Sequence, residues 1–343
     1  MGKMPANMRR LLWLALLVAC VVVPLGAYVR LSDAGLGCPD WPGCYGKLSP
    51  AHARDVIVDV HAADPHGPVS LAKAWKEMSH RYLASALGLV IVGIAWLAWR
   101  QRTQRLLAGT LLAAVVFQGL LGMWTVTLLL KPAIVSLHLI GGISIVALIA
   151  ALLTRASLAP LPAPPPTRAL AWALVAAVAV QVLLGGWVTS NYAAPACQGF
   201  PQCNGAWWPE GMDFTAALHV TRALGEGPDG TPLAWGALVA IHWLHRAGAL
   251  LLSVLLAALL WHTRAEPAWR ASRWLLLSLW ALQVGLGVAN VVFALPLPLA
   301  VAHNAGAMLL AAGVLSVAVR ARAPLTAAIG RRLYQFGQQG GVR

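Results

Sequence analysis

The chain has 343 residues, 59% hydrophobic and only 10% charged. A water-soluble domain carries about a quarter charged residues, so the composition excludes a soluble globular protein and points to an all-α polytopic membrane protein. The formal net charge is +14, from 25 Lys and Arg against 11 Asp and Glu. These basic residues form no separate basic domain, which argues against nucleic acid as a partner.

Eight apolar stretches approach or exceed the roughly 20 residues that a membrane helix needs. They cover residues 11–29, 81–99, 106–128, 134–154, 169–189, 238–262, 273–293 and 299–319. The first follows Lys3, Arg9 and Arg10. It is expected to stay as a helix, because no convincing small-residue cleavage site follows it, although a cleaved signal peptide is the alternative. A long loop, 30–77, comes next and holds Cys38-x5-Cys44. His80 stands at the start of the second stretch, with Glu77 one turn before it. Gln118 lies in the third stretch and His138 early in the fourth.

The segment 155–168 contains Pro160, Pro162, Pro164, Pro165 and Pro166, a composition that makes a stiff, extended strap. It divides an N-terminal four-helix half, 1–154, from a C-terminal half, 169–320, which is followed by a tail, 321–343. A second long loop, 190–237, holds Cys197-x5-Cys203. His242, His245 and Arg246 open the sixth stretch, Gln283 lies in the seventh and His303 early in the eighth.

With the N-terminus in the cytoplasm, 16 of the 25 Lys and Arg fall inside and only Glu266 of the 11 acidic residues does. Every cytoplasmic connection then obeys the positive-inside rule. Both termini are expected in the cytoplasm, and both long loops in the periplasm of a bacterial inner membrane.

The two halves repeat. His80 and His138 are 138 − 80 = 58 residues apart, and His245 and His303 are 303 − 245 = 58 apart. Each first histidine precedes an arginine, and each second follows a glutamine by 20 residues. The glycines of Leu25-Gly26-Ala27 and Leu184-Gly185-Gly186 are offset by 185 − 26 = 159, as are the first cysteines, 197 − 38 = 159. Four helices per half give both halves the same orientation, so the expected architecture is two pseudo-symmetric four-helix bundles related by an axis along the membrane normal.

Ionisable groups inside a membrane mark function by default. Two facing imidazoles in an apolar bundle suit iron porphyrin, which needs two axial ligands and an apolar slot. Zinc prefers further Cys or His ligands at tetrahedral distance. Gly119, Gly122, Gly141, Gly142, Gly248, Gly285, Gly287 and Gly306 flank the pairs. They either admit a flat ring or simply let helices pack closely. Arg81 and Arg246 are suited to haem propionates by their bidentate fork, or they snorkel to the interface.

Glu77 breaks the repeat, because His242 stands at the matching place before His245. A carboxylate beside one pair only suggests proton transfer there; a solvated residue at a helix start is the plain alternative. The cysteine pairs Cys38/Cys44 and Cys197/Cys203 are expected as disulfides in an oxidising compartment, with a redox relay as the sharper alternative.

The stretch Gly35-Leu36-Gly37-Cys38-Pro39-Asp40-Trp41-Pro42-Gly43-Cys44 carries a resemblance. Glu77-Met78-Ser79-His80-Arg81, His138-Leu139-Ile140-Gly141-Gly142, His245-Arg246 and His303 carry it further. Together they resemble the haem A synthase family over nearly the whole chain. That resemblance implies an oxidoreductase that turns a methyl group of haem O into the formyl group of haem A by successive hydroxylations. It implies that His245 and His303 hold a permanent haem b, with Arg246 beside it. It implies that His80 and His138 hold the substrate haem O, with Glu77 near the reacting edge. His242 departs from the expected pattern, where a non-ligating glutamine would be usual, and could compete with His245 for iron. Pathway logic adds haem O synthase and terminal oxidase assembly factors as partners, beside membrane lipid and a homo-oligomer.

Two rival functions share the four histidines. A di-haem cytochrome b would pass electrons only, but would place its ligands at two depths. A haem carrier gives no reason for a carboxylate in one half.

Overall fold

Eight helices are long and apolar enough to cross a membrane by length and composition. They dominate the computed structural model, which describes residues 4–227 and 229–322. In chain order the α-helices are α1 (Ala6–Leu31), α2 (Arg54–Ala63), α3 (Leu71–Arg100), α4 (Arg105–Thr127), α5 (Pro132–Ser157), α6 (Pro165–Ser190), α7 (Phe214–Ala217), α8 (Trp235–His262), α9 (Arg270–Val292) and α10 (Leu297–Arg320). The short α2 and α7 belong to the two long loops; the other eight are the expected spans.

Local chemistry sets their ends. Pro132 and Pro165 sit in the first turns of α5 and α6, where a missing N–H costs nothing. Arg100, Arg155 and Arg320 sit in the last turns of α3, α5 and α10, where a cation meets the negative end of the helix dipole.

The second span departs from expectation. It starts at Leu71, ten residues before the apolar stretch (81 − 71 = 10). Ser70 caps it by accepting from the Lys73 N–H at 3.2 Å. Lys73, Lys76 and Glu77 make this first part look like loop by hydropathy, yet Glu77 and Arg81 pair at i, i+4 along the helix, 2.6 Å apart. His80 therefore stands well inside α3 and not at its start.

The core follows helical spacing. Met8, Leu12, Ala15 and Ala19 form one buried face of α1, and Leu87, Ile91, Ile94 and Ala98 form another on α3. These meet Val146, Ile149 and Leu153 of α5 and Val314, Val317 and Ala318 of α10 in a single hydrophobic cluster. The helices bearing the second histidine of each pair, α5 and α10, share the most extensive helix–helix contact; α1 and α6 flank them.

The proline segment is extended from 158 to 164 and is sewn to the end of α10. Leu161–Pro162 (β1) pairs in parallel with Ala321–Arg322 (β2). The Ala163 N–H donates to the Arg322 carbonyl at 2.7 Å, and the Trp269 indole donates to the Pro162 carbonyl at 2.9 Å. Of the expected tail, 321–343, only 321 and 322 fall among the described residues.

At the opposite end, Arg30 of α1 stacks over the Tyr192 ring at 4.3 Å and donates to its hydroxyl at 2.8 Å. The Tyr192 hydroxyl donates in turn to Asp33 at 2.9 Å.

Candidate functional site

The four histidines come together as two pairs with nearly the same geometry. His80 on α3 and His138 on α5 have ring centres 6.4 Å apart and planes at 85°. His245 on α8 and His303 on α10 have ring centres 6.4 Å apart and planes at 82°. A metal–imidazole bond of about 2 Å on each side, plus roughly 1 Å from nitrogen to ring centre, also sums to about 6 Å. Each pair thus has the spacing of two imidazoles sharing one metal between them. Among the described residues, no three His, Cys, Asp or Glu side chains gather as a metal-ion site.

Each ring lies against a glycine on the preceding long helix. A Cβ built at Gly26, Gly122, Gly185 or Gly287 would stand 2.8, 3.2, 3.1 or 3.1 Å from Cε1 of His80, His138, His245 or His303, respectively. The glycines let the imidazoles settle on the neighbouring backbone. Gly26 and Gly185 had served only to align the halves, and here they do the work expected of the flanking set. Gly119 and Gly285 face open space instead.

Three of the rings also meet a glutamine amide. Gln118 Nε2 lies 3.1 Å from His138 Nδ1 and donates to the His138 carbonyl at 2.8 Å. Gln181 Nε2 lies 3.1 Å from His245 Nδ1 and donates to the His245 carbonyl at 2.9 Å. Gln283 Nε2 lies 3.4 Å from His303 Nε2, and His303 Nδ1 is buried without a bonded partner. The amides pin the His138 and His245 backbone carbonyls and fix where those rings sit. Gln118 and Gln283 were visible through their spacing to histidine. Gln181 was missed, because its partner His245 is 64 residues away (245 − 181 = 64) and its repeat mate, at 181 − 159 = 22, is a valine.

The two long loops are closed by disulfides, Cys38–Cys44 and Cys197–Cys203. Each is held down by the arginine that follows the first histidine. Arg81 donates to the carbonyls of Asp40 at 2.8 Å and Gly43 at 2.6 Å. Arg246 donates to those of Cys197 at 2.6 Å, Gly199 at 2.9 Å and Gln202 at 3.0 Å. Sequence reasoning did not foresee this anchoring, because carbonyl acceptors carry no residue signature.

Glu77 is buried. Its Oε1 accepts from Arg81 at 2.6 Å and its Oε2 accepts from the Cys38 N–H at 2.9 Å. The carboxylate thus lies directly beneath the first disulfide loop, one turn from His80. His242 is buried at the corresponding place on α8, and its ring meets the backbone at Ala193 and Ala194.

Arg222 was also missed. In the second loop its guanidinium donates to Asn191 Oδ1 at 2.8 Å and to the Ala216 carbonyl, and lies over the Trp187 ring at 5.0 Å. Burial lowers its pKa from the ordinary value, yet a guanidinium still carries its charge.

The family model described as cytochrome oxidase assembly protein (COX15-CtaA) matches residues 9–315. The chain is 39% identical to the heme A synthase of Shewanella oneidensis, over 88% of this chain and 92% of that one. It is 30% identical to the heme A synthase of Paracoccus denitrificans, over 91% and 88% of the two chains. It is 29% identical to that of Halalkalibacterium halodurans, over 74% and 76%.

Proposed function

The chain belongs to the haem A synthase family, an enzyme family that oxidises haem O to haem A, and from that premise we propose how the two histidine pairs divide the task. His80 and His138 hold the substrate haem O; His245 and His303 hold a resident haem b. The observation that carries the assignment is the difference one turn before each first histidine. A buried carboxylate, Glu77, stands beside the first pair, and a neutral-capable imidazole, His242, beside the second.

Oxidising a methyl to a formyl group removes four electrons and adds one oxygen atom. Two hydroxylations give a geminal diol, which loses water. A b-type haem held by His245 and His303 would supply reversible one-electron iron chemistry. The remaining work falls to side chains. His80 and His138 fix the substrate's plane between α3 and α5. Glu77 is placed to take up or return the protons released at the methyl carbon. Its bonds to Arg81 and Cys38 aim the carboxylate while the disulfide loop covers it from outside. Arg246 and Arg81 anchor the covers in this reading, and their guanidinium charge still favours propionates nearby.

The chain is a multi-pass membrane protein; a bacterial inner membrane is part of the same proposal, and the Lys and Arg distribution supports an orientation with the disulfide loops periplasmic. The pathway partners and a homo-oligomer belong to the same reading, as does the division into halves at 155–168.

Pigment extraction from the purified protein tests the whole. Haem B together with haem O or haem A supports the assignment. Haem B alone, at two equivalents per chain, favours the electron-transfer rival.

A further inference from the structure

Four helix pairs carry the histidines, and three follow one local rule. On the preceding long helix stands Gln-x3-Gly: Gln118/Gly122, Gln181/Gly185 and Gln283/Gly287. On the histidine helix stands His-x2-Gly: His138/Gly141, His245/Gly248 and His303/Gly306. The two halves of the rule depend on each other. A Cβ at Gly141, Gly248 or Gly306 would collide with the oxygen of Gln118, Gln181 or Gln283, so each glycine makes room for the amide that orients its histidine.

The fourth pair breaks the rule at both places. Val22 stands where glutamine belongs, four residues before Gly26, and Leu83 stands where glycine belongs, three after His80. Gly26 is kept against the ring, so the imidazole occupies the same seat without its amide. The Val22 backbone carbonyl meets the ring, as the Gln118 and Gln283 backbones meet theirs; His80 Nδ1 is buried without a bonded partner, as is His303 Nδ1, but His80 alone has no amide at either ring nitrogen. That carbonyl already serves the ladder of α1.

We propose that Val22 and Leu83 make His80 the releasable ligand of the pair that handles substrate, so that haem O is taken up and haem A discharged by parting from His80 while His138 keeps its hold. The proposal rests on the reading that the first pair holds substrate. An oriented second-shell partner strengthens a ligating histidine, and its loss typically weakens metal affinity about 10–100-fold. A resident haem is better kept where both ligands meet an amide, His245 at Nδ1 to Gln181 (3.1 Å) and His303 at Nε2 to Gln283 (3.4 Å). A haem that must leave after each turnover is better served by one ligand that meets none. Val22 and Leu83 are positioning residues here, acting through His80.

The test follows haem transfer from the full-length purified protein, carrying both haems, to excess apomyoglobin. Two phases are expected, and H138A should abolish the faster, H303A the slower. V22Q/L83G, which writes the rule back into the first pair, should slow the faster phase about 10–100-fold and shift the low-spin EPR signal of that site alone. Q181V, which removes the amide from His245, should quicken the slower phase by a similar factor. An unchanged faster phase in folded V22Q/L83G, or an unchanged slower phase in Q181V, overturns the proposal; if V22Q/L83G does not assemble, Q181V decides. If instead H303A abolishes the faster phase, the assignment of substrate to the first pair fails, and the inference falls with it.

Discussion

His245 on α8 and His80 on α3 occupy matched seats, each beside a glycine of the preceding long helix and each followed by an arginine that grips a disulfide loop. Around His245 the grip of Arg246 on the loop is joined by an inward contact to Gln181, and the residue one turn before it is an imidazole. Around His80 the polar contacts point outward: Glu77 and Arg81 bind the loop at Cys38 and Gly43, while the ring itself has no amide. Under the proposed assignment, one seat keeps its occupant and the other works on it. The difference teaches that a repeated scaffold can be specialised by two or three side chains without changing the ligand spacing, which is 6.4 Å in both pairs.

The comparison breaks most visibly at the ligands. H303A should remove the b-type absorption of the second half while leaving substrate binding at the first, and H138A should do the reverse; reduced-minus-oxidised spectra and extracted pigments read both. An unaltered b-type spectrum in H303A would place the cofactor elsewhere.

The carboxylate comes next. E77Q should retain both haems yet lower formyl production by about 100-fold or more, the usual scale of lost acid–base assistance. H242Q should leave production nearly unchanged. Full activity in E77Q would withdraw Glu77 from the proton traffic.

Arginine substitutions sharpen the contrast. R246A and R81A should each destabilise the folded protein by about 2 kcal/mol, since each strips several charge-assisted hydrogen bonds from loop carbonyls. Thermal unfolding in detergent measures that. Only R81A should also reduce turnover, because only Arg81 pairs with the carboxylate proposed to move protons. Equal loss of turnover in both variants would show that loop closure alone accounts for the effect.

The smallest effect belongs to the bridge between the halves. Y192F removes a hydroxyl lying between Arg30 and Asp33 at a partly exposed place. It should cost less than about 1 kcal/mol in thermal unfolding and leave the spectra untouched.

Much of this was legible in the residues. Eight spans followed from apolar length, and the paired histidines from identical spacing and matched neighbours. The start of α3 was hidden because its first turns are charged, and hydropathy cannot see a helix stabilised by a Ser70 cap and an ion pair. Gln181 was hidden because the repeat that revealed Gln118 and Gln283 has lost its fourth member at Val22. The grip of Arg81 and Arg246 on the loops was hidden because backbone oxygens are common to every residue type. Their identities pointed to an anion; their geometry answers to carbonyls.

The shared face of α5 and α10 has one more consequence. It puts His138 and His303 on the two helices that form the keel of the molecule, whereas His80 and His245 ride on the flanks, α3 and α8. Each pair is therefore split in the same way, one ligand on the central seam and one on a helix packed against α1 or α6, so that both pairs meet the same seam from opposite sides.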